Sequence, residues 1–307
     1  MDLWINAMQG AVNQGILWSI MALGVYITFR LLDIADLTVD GSFATGGAVC
    51  AVILVNGGDP IVAILVSTLA GCLAGWVTGF LLTKCHIPAI LAGILSQIGL
   101  YSINLRIMGK SNIPLLSTKS LYDWGYSAGL KTTQASMIVG LLITVMIIAI
   151  LYWFFGTELG SAIRATGNNE QMVRAVGVNT NFTKLVGTTL SNGLIALSGA
   201  LITQQQGFAD VKMGIGAIVI GLASIVIGEV VFGNHGNFLV RLIAIVTGSI
   251  IYRLIIALVL QAGLSTDDLK LLTAIVVGVA LTIPHILSNR KQVALYKKLT
   301  KEVDENA

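Results

Sequence analysis

The sequence predicts an all-α integral membrane protein of about nine spans, within a range of eight to ten, and three observations carry that prediction. Apolar residues make up 55% of the 307-residue chain and charged residues only 11%. A soluble domain is typically about 25% charged, because its folded surface must face water. The charges are also unevenly placed: Ile61 to Thr83, Thr133 to Phe155 and Gly214 to Ile227 carry none. The longest of these runs match the roughly 20 residues that cross a hydrocarbon layer of about 30 Å. Finally, the runs are continuous rather than alternating at period two, which selects helices over barrel strands. This composition excludes a soluble enzyme, a nucleic-acid-binding module and a disordered chain, and the net charge of +3 is too small to draw a nucleic acid.

Apolar runs between polar punctuation place the spans at 13–32, 42–56, 60–83, 88–108, 134–156, 182–203, 214–231, 242–262 and 269–287, the first reaching back towards Leu3. No basic residue precedes Arg30, so the first run lacks the n-region of a signal peptide and is read as retained. Cys50, Cys72 and Cys85 have no ligand spacing, so no disulfide framework or metal site follows. Lys and Arg near span ends favour the cytoplasm. The basic tail 288–307, with Arg290, Lys291, Lys297, Lys298 and Lys301, is therefore expected inside. That places 157–181 inside too, and 109–133, 204–213 and 263–268, with Asp267 and Asp268, outside. The second and seventh spans are short and follow irregular polar stretches. Ala35-Asp36-Leu37 with Gly41 parallels Ala209-Asp210-Val211 with Gly214 and Gly216, in segments of opposite orientation. Inverted repeats with helices broken at mid-membrane are a recurring transporter plan.

The whole chain, 1–307, reads as one transmembrane domain with one large polar interruption, 157–179. Leu159, Ile163, Met172, Val173 and Val176 are helically spaced there, Gly160, Gly167 and Gly177 mark breaks, and Arg164, Glu170 and Arg174 leave a charged face. Two readings fit: a cytoplasmic element that docks a partner, or a helix resting in the lipid interface.

The run GSAIRATGNNEQMVRAVGVN resembles the cytoplasmic loop of permeases of ATP-binding-cassette importers of the branched-chain amino acid and ribose type. There a G-x-A-I-R-A-x-G-x-N pattern docks into the ATPase subunit. Gly160, Ala162, Ile163, Arg164, Ala165, Gly167, Asn169, Ala175 and Gly177 align with that pattern, with Asn168 as the alternative to Asn169. LLDIADLTVDGSFATGGAV, LYSINLRIMGKSNIPLL and GLASIVIGEVVFG resemble a narrower branch, the permeases paired with tryptophan/tyrosine-type substrate-binding lipoproteins. The resemblance implies that Gly160, Arg164, Gly167, Asn168, Asn169, Glu170, Arg174 and Gly177 form an ATPase-coupling element. It further implies import of a small polar solute, with amino acids favoured and aromatic ones among the candidates. The chain departs from the broader pattern at Ile227-Gly228-Glu229-Val230 and at Asp36-Leu37-Thr38-Val39-Asp40, which argues against ribose.

Charge in hydrocarbon is costly by any scale, about 2.5–3.5 kcal/mol on translocon scales. Asp36, Asp40, Asp210, Glu229 and Arg253 must therefore face water, a partner or the bundle interior. Asp36 and Asp40 read either as pathway walls or as helix caps, Asp40 being a good N-cap for the second span; Arg253 should pair with a carboxylate or snorkel. Ser42, Gln97, Tyr101, Asn104, Asn192 and Gln204 are the remaining pathway candidates. The alternative for each Asn and Gln is an interhelical hydrogen bond. Gln97 and Asn104 are seven apart and share a helix face. Gly71, Gly75 and Gly79 form a ridge for close helix packing.

No GxxxxGK[ST] phosphate loop is present, so ATP and Mg are expected on a separate ATPase rather than on this chain. His86, His235 and His285 lie near span ends without an HExxH or GxSxG context, which leaves no catalytic residues and no metal site for a membrane hydrolase. The expected partners are the ATPase, an extracytoplasmic substrate-binding lipoprotein, a second permease copy forming a homodimer, and the lipid of a bacterial plasma membrane. The competing class is a self-sufficient secondary transporter or channel, with Arg253 and Glu229 as candidate coupling charges.

Overall fold

The computed structural model describes residues 2–116, 118–123, 132–233, 237–262, 271–279 and 282. Helix α1 (Asp2–Tyr26) runs into a π-helical turn at Ile27–Leu31. It is followed by α2 (Val39–Val55), α3 (Pro60–Thr83), α4 (Ala89–Met108), β1 (Asn112–Pro114) and α5 (Thr132–Gly156). Two short helices, α6 (Glu158–Asn168) and α7 (Glu170–Ala175), precede α8 (Thr180–Gln206), β2 (Phe208–Asp210), α9 (Ala217–Phe232) and α10 (Phe238–Gln261). Residues 271–279, here α11, are also helical. Among the described residues six helices are long and apolar enough to cross a membrane, and α2 and α9 are shorter apolar helices. Eight of the nine expected spans are thereby matched, and α11 lies within the ninth. Lys131, Asp267, Asp268, His235, His285 and the basic tail 288–307 lie outside the described residues.

Element ends follow local chemistry. Asp59 accepts from Ile61 N just before Pro60 opens α3. Gly109 (φ +68°) and Gly207 (φ +76°) close α4 and α8 in the left-handed conformation that favours glycine.

Of the six long helices α1 and α8 are the most enclosed, and α3, α4 and α5 turn residues such as Leu69, Leu73, Ile98, Leu142 and Trp153 outward. The central helices touch through small residues whose hydroxyls bond neighbouring backbone. Ser191 Oγ donates to Gly24 O at 2.7 Å, Ser198 Oγ to Leu17 O at 2.8 Å and Ser249 Oγ to Gly15 O at 2.8 Å. The Gly71, Gly75 and Gly79 ridge packs on α8: a Cβ at Gly75 would come 2.4 Å from Thr188 O, and one at Gly71 2.5 Å from Asn192 O.

At one end of the bundle α6 and α7 form a platform; at the other, β1 and β2 pair antiparallel with Ile113 opposite Ala209. α1 descends to the platform, where Gly167 lies against the Leu31 backbone. The chain then turns back, because Asp36 hydrogen-bonds Asn192, near the midpoint of α8. α2 therefore starts at mid-depth. At about 1.5 Å per residue, neither α2 nor α9 spans about 30 Å. α9 mirrors the arrangement: α8 rises to the ladder, 211–216 folds back, and α9 descends. Both halves use the same local turn, with Asp36 Oδ1 accepting from Thr38 N at 2.9 Å and Asp210 Oδ1 from Lys212 N at 2.7 Å. Asp40 and Gly214, each four residues further on, meet: a Cβ at Gly214 would come 1.9 Å from Asp40 O. That contact between equivalent positions is what a two-fold relation between halves produces.

Candidate functional site

The crossing of the broken helices places some pathway candidates together and removes others. Asp40 caps a helix, though not its own. Thr38 occupies the N-cap position of α2 without a side-chain capping bond, and the Asp40 carboxylate accepts from Gly216 N at 2.9 Å and Ile218 N at 3.0 Å, at the start of α9. Two orphan amide donors of one half-helix are thus satisfied by an acid from the other. Asp36 is buried, bonded through Oδ2 to Asn192 Nδ2 at 2.7 Å; Asn192 Oδ1 accepts from Ser42 Oγ at 2.6 Å. Thr38, Thr78 and Ser96 continue the polar seam into α3 and α4.

Beside this seam lies a cavity of about 270 Å³, walled by Asp40, Gln97, Tyr101 and Asn104, with apolar contributions from Ile98 and Ile215. Asn104 is fully buried; its Nδ2 faces Gly41 O at 3.4 Å, and its Oδ1 has no hydrogen-bond partner. Gln97 and Asn104 share the face expected from their spacing. Gln204 lies away from this cavity and holds the segment at 115–123: its Oε1 accepts from Leu121 N at 2.8 Å, next to a Tyr122 hydroxyl bonded to Leu201 O at 3.0 Å. Asp210 stays on the ladder with Asn112. Arg253 finds an aromatic face rather than a carboxylate among the described residues, 4.1 Å from the Trp18 ring, with Gln14 Oε1 at 3.5 Å.

The platform is two helices rather than one. Thr157 accepts from Gly160 N to cap α6, and Asn169, in extended conformation, accepts from Met172 N to cap α7. Gly160 and Gly167 are not breaks but close-approach positions inside α6. A Cβ at Gly160 would come 2.3 Å from Phe154 O, and one at Gly167 1.9 Å from Leu31 O. Gly177 (φ +89°) does end the second helix. Ile163 is fully buried, and Thr166 and Thr183 share a hydrogen bond at 2.9 Å, fastening α6 to α8.

Glu170 is the hub of α7. It accepts from Lys184 Nζ and Arg174 Nη2, each at 2.7 Å, and from the Thr180 hydroxyl at 3.1 Å. The Lys184 hydrogen bond, then the charges of Lys184 and Arg174 and the Thr180 contact, hold its carboxyl below the ordinary 4.5 against a smaller opposing effect of burial. Arg164 sits 5.5 Å over the Phe238 ring, and Asn168 stands on the exposed edge. Arg30, Lys184, Thr180 and Arg241 were not anticipated. Their signal was a basic or hydroxyl residue flanking a span on the side that carries 157–179. Glu229 forms a bidentate ion pair with Arg30.

Inverted halves, re-entrant half-helices and an amphipathic platform define a multi-pass membrane transport permease. The chain belongs to the permease-component family of branched-chain amino acid transport systems, whose family model matches residues 7–283. It is 46% identical over 274 residues to the tyrosine transport system permease protein of Clostridioides difficile, covering 89% of this chain and 90% of that protein. It is 32% identical to the uncharacterised protein RP368 of Rickettsia prowazekii, over 91% and 98% of the two chains. An autoinducer 2 import system permease, LsrC of Salmonella choleraesuis, matches at 32% identity over 55% of this chain and 49% of its own length. Among solved structures, PsaBC from Streptococcus pneumoniae in complex with Fab has the same fold, with a TM-score of 0.52 and 17% identity, covering 91% of this chain and 94% of that one.

Proposed function

We propose that this chain is the translocation subunit of an ATP-binding-cassette importer for an amino acid, with aromatic amino acids favoured. A separate ATPase supplies ATP and Mg, a substrate-binding lipoprotein delivers the solute, and a second copy of the chain completes the path. The platform faces the cytoplasm of a bacterial plasma membrane, as does the C-terminal tail. The cargo reading is supported by 46% identity to a permease named for tyrosine transport. The cavity at Asp40, Gln97, Tyr101 and Asn104 is the stretch of pathway wall contributed by this copy, where sparse polar groups among apolar ones suit an amphipathic solute.

The observation that carries the coupling role is the backbone contact between Gly167 and Leu31. α6 rests directly on the π-turn, and the seven residues after that turn lead to Thr38 and the mid-depth start of α2. A push on α6 is transmitted through packed backbone to the broken helices, with little side-chain compliance between.

The test is uptake into proteoliposomes. The permease with its ATPase and lipoprotein should accumulate labelled tyrosine only when ATP is supplied. Accumulation by the permease alone, driven by an ion gradient, would establish the competing secondary transporter and overturn the proposal.

A further inference from the structure

A cleft of about 540 Å³ opens where the platform meets the ends of the bundle. Three guanidinium groups line it, from Arg30 on the π-turn, Arg164 on α6 and Arg241 on α10. One carboxylate among the described lining residues, Glu229, answers them, and it is engaged by Arg30. Among the described residues Arg164 has only the Phe238 ring and a long 3.4 Å approach to Ser161, and its Nε is buried without a partner there. Arg241 lines the cleft together with Tyr26. Two cations thus line the cleft with no carboxylate paired to either among the described residues. Leu31, Phe232, Val240, Ala244 and Ile245 form an apolar side of the wall, and Tyr26, Ser161 and Asn168 add neutral polar groups. Phe232 and Val240 are themselves surface-exposed, and Ile243, one turn along α10, carries the apolar surface on towards the membrane interior.

We infer that this cleft binds the phosphate headgroup of an anionic phospholipid, with the headgroup between Arg164 and Arg241 and an acyl chain along Phe232, Val240 and Ile243. Basic pockets between transmembrane helices at a membrane surface suit such headgroups, and guanidinium forks match phosphate oxygens bidentately. An acidic side chain of a protein partner would satisfy the arginines but would leave the adjoining apolar strip without an occupant. A bound lipid would join the platform to α10 through Arg164 and Arg241, and so stiffen the contact through which α6 acts on the π-turn.

Native mass spectrometry of the detergent-purified full chain tests this. Wild type incubated with equal phosphatidylglycerol and phosphatidylcholine should retain phosphatidylglycerol selectively. The double variant Arg164→Gln/Arg241→Gln should retain roughly tenfold less, while Arg164→Lys/Arg241→Lys, which restores charge, should recover part of the difference. Equal retention by wild type and the Gln variant would overturn the inference. So would binding of inorganic phosphate without lipid selectivity, which would make the cleft a free-anion site. Loss of ATPase association in the Gln variant with lipid retention unchanged would assign the arginines to the protein partner instead. The measurement needs no transported solute, so its failure leaves the import reading standing.

Discussion

Asn192 donates through Nδ2 to Asp36 and to the Thr188 carbonyl while its Oδ1 accepts from Ser42, so one amide holds a buried acid and the first turn of α2 against α8. Asn192→Leu leaves the Asp36 carboxylate buried without that donor. Hydrogen bonds to charged groups contribute about 1.5–3 kcal/mol, and the variant should melt clearly lower in detergent; an unchanged melting temperature would show that Asp36 is otherwise satisfied. Arg164→Glu should insert normally yet uncouple ATP hydrolysis from uptake, because it reverses the charge beside Phe238 and in the arginine cleft. Wild-type accumulation with the ATPase present would refute that. Glu170 gives a pH prediction. Its folded-state value lies below 4.5, so its clamp on Lys184 and Arg174 is fully present above 4.5 and is lost as pH falls through the lowered value. Hydrogen exchange of 170–184, corrected for intrinsic rates, should be constant from pH 7 to pH 5 and rise only below that range. Loosening at pH 6 would mean that another group controls the platform.

At the scale of elements, the glycines separate into two kinds that composition alone does not distinguish. On α3, Gly75 lies against Thr188 O, and α8 cannot withdraw without giving up Ser191 and Ser198 bonds to α1. On α4, Gly99 has nothing within 4 Å of an added Cβ. Gly75→Ala should destabilise by about 1–3 kcal/mol through overpacking. Gly99→Ala should be neutral or stabilising by up to about 1 kcal/mol from helix propensity. Paired thermal melts in detergent check the contrast, and equal effects would place the α3–α8 contact elsewhere. The ridge was legible in advance because its period of four repeats along one face. Gly160 and Gly167 were misread as breaks, since a glycine in a polar stretch signals a turn as readily as a close approach. Only the neighbouring Phe154 and Leu31 carbonyls distinguish the two.

For the whole molecule, the two-fold relation between halves explains why α2 and α9 are short. Each begins at mid-depth, where a spanning helix would place peptide groups that the re-entrant chain instead satisfies through Asp36 and Asp40. The sequence by itself determined the class of fold and eight of the spans, and it pointed to the polar interruption and the repeat, because each is written in local hydropathy, glycine spacing or short motifs. Long-range pairings were beyond it. That Asp40 caps the opposite half-helix, that Arg253 meets Trp18, and that Gln204 serves the segment near Tyr122 depend on which helix faces become neighbours. In a chain this apolar many helix faces look alike to a neighbour. The choice among them falls to a few small residues and buried polar bonds whose partners are distant in sequence.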